Sequence, residues 1–201
     1  MRIGIYVDAS NISLSGGYAM RYDILKDFCL NDIPPTRLTT YLAYDKERAK
    51  EDPIYRNRQQ NYFAILRNFG YKIVIKHIRR FTGNEGEEYT KANADLDMAV
   101  DIITQAKNLD KVFLLTGDGD FKRVIRAIQD MGVRVEVMAF RNVSRDLVYE
   151  CDSFTSGFII PNLIPMEDQP LEVWGELGSR VRGVCYEIQF KHTFGFFRYM
   201  D

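Results

Sequence analysis

Lys111-Val112-Phe113-Leu114-Leu115-Thr116-Gly117-Asp118-Gly119-Asp120-Phe121 is the stretch that decides the fold. Its first half is a short apolar run of the kind that fills a central parallel strand. Thr116, two glycines and two aspartates follow, and Phe121, Val124, Ile125 and Ile128 then recur at helical spacing. The reading is strand, tight turn and helix N-terminus, with two carboxylates at the turn. In an open α/β sheet the carboxyl ends of the strands are where ligands collect. The segment from Ile3 to Val7 repeats the design, apolar apart from Gly4 and closed by Asp8, Ala9, Ser10 and Asn11. Two strands that both end in Asp can set their carboxylates side by side, the geometry for holding a divalent cation.

Outward from these two strands the chain alternates. Residues 18–30 read as a helix with Tyr22, Leu25, Phe28 and Cys29 near one face, stopped by Pro34-Pro35. Residues 36–43, rich in β-branched and aromatic side chains, read as a second strand. The charged segment 45–52 precedes a helix opened by Pro53, with Tyr62, Ile65, Leu66 and Phe69 as its apolar stripe and Gly70 at its end. A third strand covers 71–78, and 79–91 is expected to project as a hairpin or loop. Residues 95–106 form a strong helical pattern, with Leu96, Ala99, Val100 and Ile103 on one side and Asp97 and Asp101 on another face. A fifth strand at 133–140, a short helix at 143–149 capped by Ser144 and an edge strand at 154–160 complete the pattern. Strand–helix alternation over 1–160 implies an α/β domain with a mainly parallel sheet. Residues 161–178, spaced by Pro161, Pro165 and Pro170, read as a linker, and 179–201 as a β-hairpin extension.

The 201 residues suit one ordinary domain with a small appendage, and 46% apolar against 27% charged composition supports a sizeable core. The net charge of -1 gives no globally basic surface, so a nucleic-acid partner has to be held by a local patch. Cys29, Cys151 and Cys185 are far apart and lack CxxC spacing, which fits unpaired thiols in a reducing compartment. No apolar run reaches membrane-spanning length, and Met1-Arg2-Ile3 passes directly into a strand without a signal peptide, so the expectation is a cytoplasmic protein.

Asp8, Asp95, Asp118 and Asp120 are the informative carboxylates, with Asp97 and Asp101 as outer candidates. Any one of them has a structural explanation, because Asp at a strand end or helix start caps backbone N–H groups. Four converging on one crevice is different: like charges close together cost energy unless a cation neutralises them. Oxygen-only ligands favour Mg²⁺ or Mn²⁺ over Zn²⁺. His77, in an apolar strand, and His192, in a remote turn, have no companion to build a zinc or histidine-based site. Such an ion is suited to phosphodiester cleavage, where it activates water and neutralises charge on the phosphate. Asn11 and Thr116 can orient a water or phosphate oxygen, and Lys91 can neutralise the scissile phosphate. No GxxxxGK[ST], GxGxxG or GxSxG is present, which excludes a phosphate-loop NTPase, a dinucleotide fold and a serine hydrolase elbow.

The blocks YVDASNI (Tyr6 to Ile12), KANADLDMAVDII (Lys91 to Ile103), LLTGDGDF (Leu114 to Phe121), Gly132 to Val137 and LVYECDSF (Leu147 to Phe154) resemble, in this order, the NYN family of PIN-like nucleases, LabA/DUF88 branch. The resemblance covers roughly residues 1–160. It implies a PIN-like three-layer sandwich with sheet order 3-2-1-4-5, and Mg²⁺- or Mn²⁺-dependent ribonuclease activity. It assigns Asp8, Asp95, Asp118 and Asp120 to the acidic, metal-holding cluster, with Asn11 and Lys91 as further catalytic residues. Asp97 falls where many relatives carry a small or apolar residue, and Gly119 replaces the serine of the commoner GDSDF form. Residues 182–197 resemble the opening strands of a cold-shock, OB-type domain, with Phe194 and Phe196 matching aromatics on which unpaired bases stack. A buried aromatic hairpin is the alternative reading of that segment.

The expected function is metal-dependent hydrolysis of single-stranded RNA. Lys46, Arg48, Arg56, Arg58, Arg79 and Arg80, with Tyr41 and Tyr44, are the candidate RNA-binding rim. A non-catalytic RNA-binding or regulatory adaptor on the same fold is the alternative, and a nucleotide phosphomonoesterase a further one, unsupported by any DxDx[TV] motif. Aromatic-rich parallel-sheet domains of this size often form homodimers, with residues 71–81 and the C-terminal strands as the expected surface.

Overall fold

A computed structural model describes residues 1–30, 34–82, 88–91, 94–165, 183–189 and 194–199, with side chains described for 1–30, 34–78 and 94–165. The strands are β1 (Ile3–Asp8), β2 (Arg37–Tyr44), β3 (Lys72–His77), β4 (Arg79–Thr82), β5 (Glu88–Lys91), β6 (Lys111–Leu115), β7 (Arg134–Ala139), β8 (Ser153–Ser156), β9 (Gly183–Gln189) and β10 (Phe194–Tyr199). The helices are α1 (Ala9–Ile12), α2 (Tyr22–Leu30), α3 (Lys46–Glu51), α4 (Pro53–Asn68), α5 (Asp95–Ala106), α6 (Lys122–Gln129) and α7 (Arg145–Glu150).

The main sheet has the order β3-β2-β1-β6-β7-β8, and its strands pair in parallel throughout. Counted along this sheet alone, the order is the expected 3-2-1-4-5 with the edge strand added. β1 is central and buried along its length. Its register sets Tyr6 beside Thr39 on one flank and Leu114 on the other, and Val7 beside Leu115. Ile3, Ile5 and Val7 face a cluster with Leu25, Cys29, Phe63 and Leu66 of α2 and α4. Tyr6 points to the opposite cluster, with Met98, Ile102, Ile125 and Ile128 of α5 and α6. Period-two alternation along one strand thus divides the core into two layers, giving the three-layer α/β sandwich. β4 and β5 form a separate antiparallel pair, as expected for a projecting hairpin. β9 and β10 form another, with an irregularity between Phe196 and Phe197; their side chains lie outside the described ones. Within the proline-spaced stretch Leu163 is fully buried, and its carbonyl accepts from the N–H of Arg21 at 2.8 Å.

Helix α5 departs from its expected orientation. Leu96, Val100 and Ile103 are exposed (67, 51 and 37%), whereas Met98, Ile102 and Ala106 are buried. The helix is apolar on more than one side, so periodicity alone cannot choose the inner face. Polar contacts choose it: the Tyr41 hydroxyl donates to Asp101 Oδ2 at 2.7 Å, Lys76 Nζ to Asp97 Oδ2 at 2.8 Å, and the Tyr6 hydroxyl to Gln105 Oε1 at 2.9 Å. A buried tyrosine hydroxyl without a partner costs on the order of 1–3 kcal/mol. The side of α5 carrying Asp97, Asp101 and Gln105 therefore turns to the sheet.

Smaller differences have local causes. α2 begins at Tyr22 rather than at residue 18, because Ala19 adopts a left-handed φ of 61° that ends helical geometry upstream. In α4 the buried residues are Phe63 and Leu66, while Ile65 is exposed. The charged segment before α4 forms α3, capped by Asp45, whose side chain accepts from the N–H of Arg48. Ser144 stands at the N-cap of α7 without making a side-chain cap bond. Cys29 and Cys151 are free thiols. Among the described residues no helix is long and apolar enough to cross a membrane.

The facing of α5 predicts a contrast in stability. Val100→Lys should change unfolding free energy by less than about 0.5 kcal/mol, whereas Met98→Ala should cost about 2–5 kcal/mol. Urea denaturation of both variants checks this; equal losses would mean that the exposed and buried sides are assigned wrongly.

Candidate functional site

Asp8 ends β1 and is only 5% exposed. Its Oδ1 accepts from the N–H of Asn11 at 3.0 Å, capping α1, and its Oδ2 accepts from the hydroxyl of Thr116 at 3.2 Å. Thr116 continues β6 and is itself completely buried. The same hydroxyl oxygen accepts from the N–H of Asp118 at 3.2 Å. One hydroxyl thus links the carboxylate at one strand tip to the backbone of the acidic residue at the next. Asn11 makes a second tie, its Oδ1 accepting from the N–H of Gly117 at 2.8 Å. Beneath it the hydroxyl of buried Ser15 donates to the carbonyl of Asn11. Asp118 caps the following 3-10 turn (Gly119–Phe121), its Oδ1 accepting from the N–H of Asp120 at 2.9 Å.

These positions follow from chain geometry. β1 and β6 are adjacent and parallel, with Val7 beside Leu115, so the residues just past their ends meet. α5 starts at Asp95 on the same side of the sheet as α6, which follows the Asp118 turn. The electrostatics register the convergence. Burial, reinforced by the charges of Asp95 and Asp118, pushes the Asp8 carboxyl up to about 6 against the opposing hydrogen bonds from Asn11 and Thr116. Burial, then Asp118 and Asp120, raises the Asp95 carboxyl as well. The four aspartates therefore share one field. Among the described residues, however, no three His, Cys, Asp or Glu side chains converge as a group that could hold a metal ion. The donor set is of the right kind for a hard cation; its side chains are not closed around a point.

Two residues expected at the site also make structural ties. Thr116 is a bridge between acidic positions, and Asn11 commits its side-chain oxygen to the β6 turn, so neither has that oxygen directed solely at a ligand. Asp97 and Asp101 are held by Lys76 and Tyr41, beneath α5. Lys91 lies in β5 opposite Arg79, and the side chains of Lys91, Arg79, Arg80, Phe194 and Phe196 lie outside the described ones.

Ser144 is the neighbour that sequence reasoning did not place at the site. Its N–H donates to the carbonyl of Gly117 at 3.0 Å. A Cβ on Gly119 would meet its Oγ at 2.7 Å and its Cβ at 3.1 Å. Gly119, in place of the commoner serine, thus leaves room for the side chain of Ser144. Spacing along the chain carries no sign of this, since the two residues meet only through the loop after β7.

Part of the expected basic set lies at the surface. Lys46, Arg48, Arg56 and Arg58 are all exposed, on α3 and the first turns of α4. Arg48 is already engaged, 4.5 Å above the Tyr55 ring and 3.6 Å from Asp52. Tyr41 is buried under α5 and unavailable for stacking on RNA. Tyr44 packs against Tyr55, Phe63 and His77.

Comparison with known proteins agrees with this architecture. The NYN domain family model matches residues 2–164. The low amplitude and bright protein LabA of Synechococcus elongatus is 23% identical over 181 residues, covering 84% of this chain and 90% of that protein. A crystal structure of a Vibrio parahaemolyticus protein of unknown function, VPA0982, superposes with a TM-score of 0.63 at 24% identity, over 77% of this chain and 91% of that one. The structural likeness speaks for the fold.

The buried Asp8 predicts an unusual pH dependence. Its carboxyl is raised in the folded state, so the folded protein binds the proton more tightly than the unfolded chain. Stability then falls as pH rises through roughly 4 to 6. In divalent-free buffer at pH 7, Asp8→Asn should gain about 2 kcal/mol, and far less at pH 4. Asn can still cap α1. Thermal melts at the two pH values check it, and a variant destabilised equally at both would refute the electrostatic account.

Proposed function

The chain belongs to the NYN domain family, and from that premise we propose that it is a Mg²⁺- or Mn²⁺-dependent ribonuclease acting on single-stranded RNA. The observation that carries the reading is the mutual field of Asp8, Asp95, Asp118 and Asp120 at the adjoining ends of β1 and β6. Such a field disfavours the metal-free state and is relieved by a divalent cation.

The four aspartates would hold the ion, with Asp8 and Asp118 as its core. When bound, a hard divalent ion supplies an activated water and charge neutralisation at the phosphate. The chain's own residues supply the rest. Thr116 and Asn11 fix the two strand tips against each other, which keeps the carboxylates in register while a strand is gripped. Asp120, exposed at the start of its turn, is the carboxylate best placed to swing inward and complete the set. Lys91 is proposed to neutralise the scissile phosphate. Lys46, Arg56 and Arg58, with no ion pair among the described residues, offer cations for the RNA backbone beyond it.

The adaptor reading has one observation in its favour, the lack of a closed metal-holding group among the described residues. A homodimer is also proposed, through β3, which forms one edge of the main sheet; a monomeric mass at micromolar concentration would exclude it.

Cleavage of defined single-stranded RNAs with and without Mn²⁺ tests the central reading. Asp118→Asn should remove metal-dependent cleavage and weaken Mn²⁺ binding strongly while retaining RNA affinity. RNA binding by the unsubstituted chain with no metal-dependent cleavage would replace the nuclease with the adaptor.

A further inference from the structure

The helical run that begins at Asp8 does not stop at the acidic site. α1 runs on as far as Ser15, Gly16 at a φ of 107° kinks the chain out of helical geometry, and beyond it the chain opens onto a cleft of about 470 Å³ between α2 and α4. Tyr18, Tyr62, Ile65 and Phe69 line its walls, and Arg58 and Gln59 its polar side. None of the four aspartates lines it. A second recess of about 560 Å³ shares Arg58, Tyr62 and Ile65 and extends to Ile54 at the start of α4.

We propose that this cleft is a nucleobase site, which receives an unpaired base of the RNA strand whose scissile phosphate lies at the acidic cluster; the proposal rests on the ribonuclease reading above. Three features favour this ligand. The volume suits a small planar group, and pockets of this size commonly combine apolar walls with a few polar groups. Its aromatic wall is partly available and partly fixed. Tyr18 is 70% exposed, while Tyr62 is anchored by a 2.6 Å hydroxyl contact with Tyr22, whose ring meets it edge-on. Unpaired bases are recognised by stacking on such rings and by polar groups at their edges. The cation at the cleft is uncommitted as well. Arg21 is tied to Asp23, but Arg58 forms no ion pair among the described residues, which leaves its guanidinium for a phosphate or a base face.

Connectivity makes the two sites parts of one path. Ser13 lines the cleft and lies two residues beyond Asn11, whose side chain is tied to the acidic turn. At roughly 1.5 Å rise per residue, the helical part from Ala9 to Ser15 spans on the order of 9 Å before the kink at Gly16, a distance a few linked nucleotides cover. Exposed Leu14 and Tyr18 stand along this run.

Single-stranded RNAs carrying one 2-aminopurine at successive positions test the site, because its fluorescence falls when the base stacks. Binding is measured with the full chain bearing Asp118→Asn, so that the RNA stays intact, and cleavage with the unsubstituted chain and Mn²⁺. Quenching should be confined to one or two adjacent positions. Added Tyr18→Ala should abolish it and weaken RNA binding roughly tenfold, the usual scale for one lost base stack. Ile65→Trp, which fills the cleft from an exposed position, should do the same, while Met131→Gln, at an exposed site beyond α6, should do neither. Circular dichroism confirms that each variant is folded. Cleavage by the unsubstituted chain together with quenching and affinity indifferent to Tyr18→Ala and Ile65→Trp would overturn the base site and leave the nuclease intact. Absence of both RNA binding and cleavage would overturn both. Tyr18-dependent quenching without cleavage would uphold the base site in an adaptor, and a self-association of the chain blocked by Ile65→Trp, with no quenching, would assign the cleft to a second copy and overturn the proposal.

Discussion

The hydroxyl of Thr116, shared between the carboxylate of Asp8 and the N–H of Asp118, is the interaction on which the site depends. It lies in the core, where a hydrogen bond is stronger and its loss more costly than at the surface. It has to work against repulsion. Asp8 is buried and surrounded by like charge, and the bonds from Thr116 and Asn11 only partly offset what burial and the neighbouring aspartates impose. The tie from Asn11 to Gly117 adds a second constraint from the other side. Together they fix two strand tips in one relative position. Like-charged carboxylates held this close need such scaffolding, because by themselves they would move apart.

The same economy of polar contacts governs the layer behind the site. Tyr41, Lys76 and Tyr6 bring Asp101, Asp97 and Gln105 down onto the sheet, and α5 is thereby set with Asp95 at its leading end beside the other acids. Among the described residues no buried side-chain nitrogen or oxygen lacks a partner. The orientation of α5 is therefore a compromise: it buries Met98 and Ile102, satisfies the tyrosines and leaves Leu96, Val100 and Ile103 outward. Hydrophobic burial alone has little to separate the two sides of such a helix, whereas an unmet buried hydroxyl does.

The acidic site and the cleft between α2 and α4 are joined by a short stretch of chain, helical from Ala9 and kinked at Gly16. β1 supplies the link, since it ends at the acids and the turn after it leads toward the cleft. Carboxylate oxygens stand at one end of this stretch and aromatic rings at the other.

Much of this was legible in the amino-acid sequence. The alternation of short apolar runs with helical spacing determined the parallel sheet, because burial on both faces demands unbroken apolar strands. Asp8, Asp118 and Asp120 could be located from sequence because strand ends in such sheets gather at one edge, and Asp95 because it opens a helix. Chain pattern could not choose the inner face of α5, for apolar residues stand around more than one side of it. It could not show that Ser144 occupies the space beside Gly119, since loops distant in sequence make that contact. Nor could it show that Tyr41 is buried while Tyr18 stands 70% exposed. These were decided by tertiary structure alone, because hydrogen-bond satisfaction and steric fit are properties of groups brought together from separate parts of the chain.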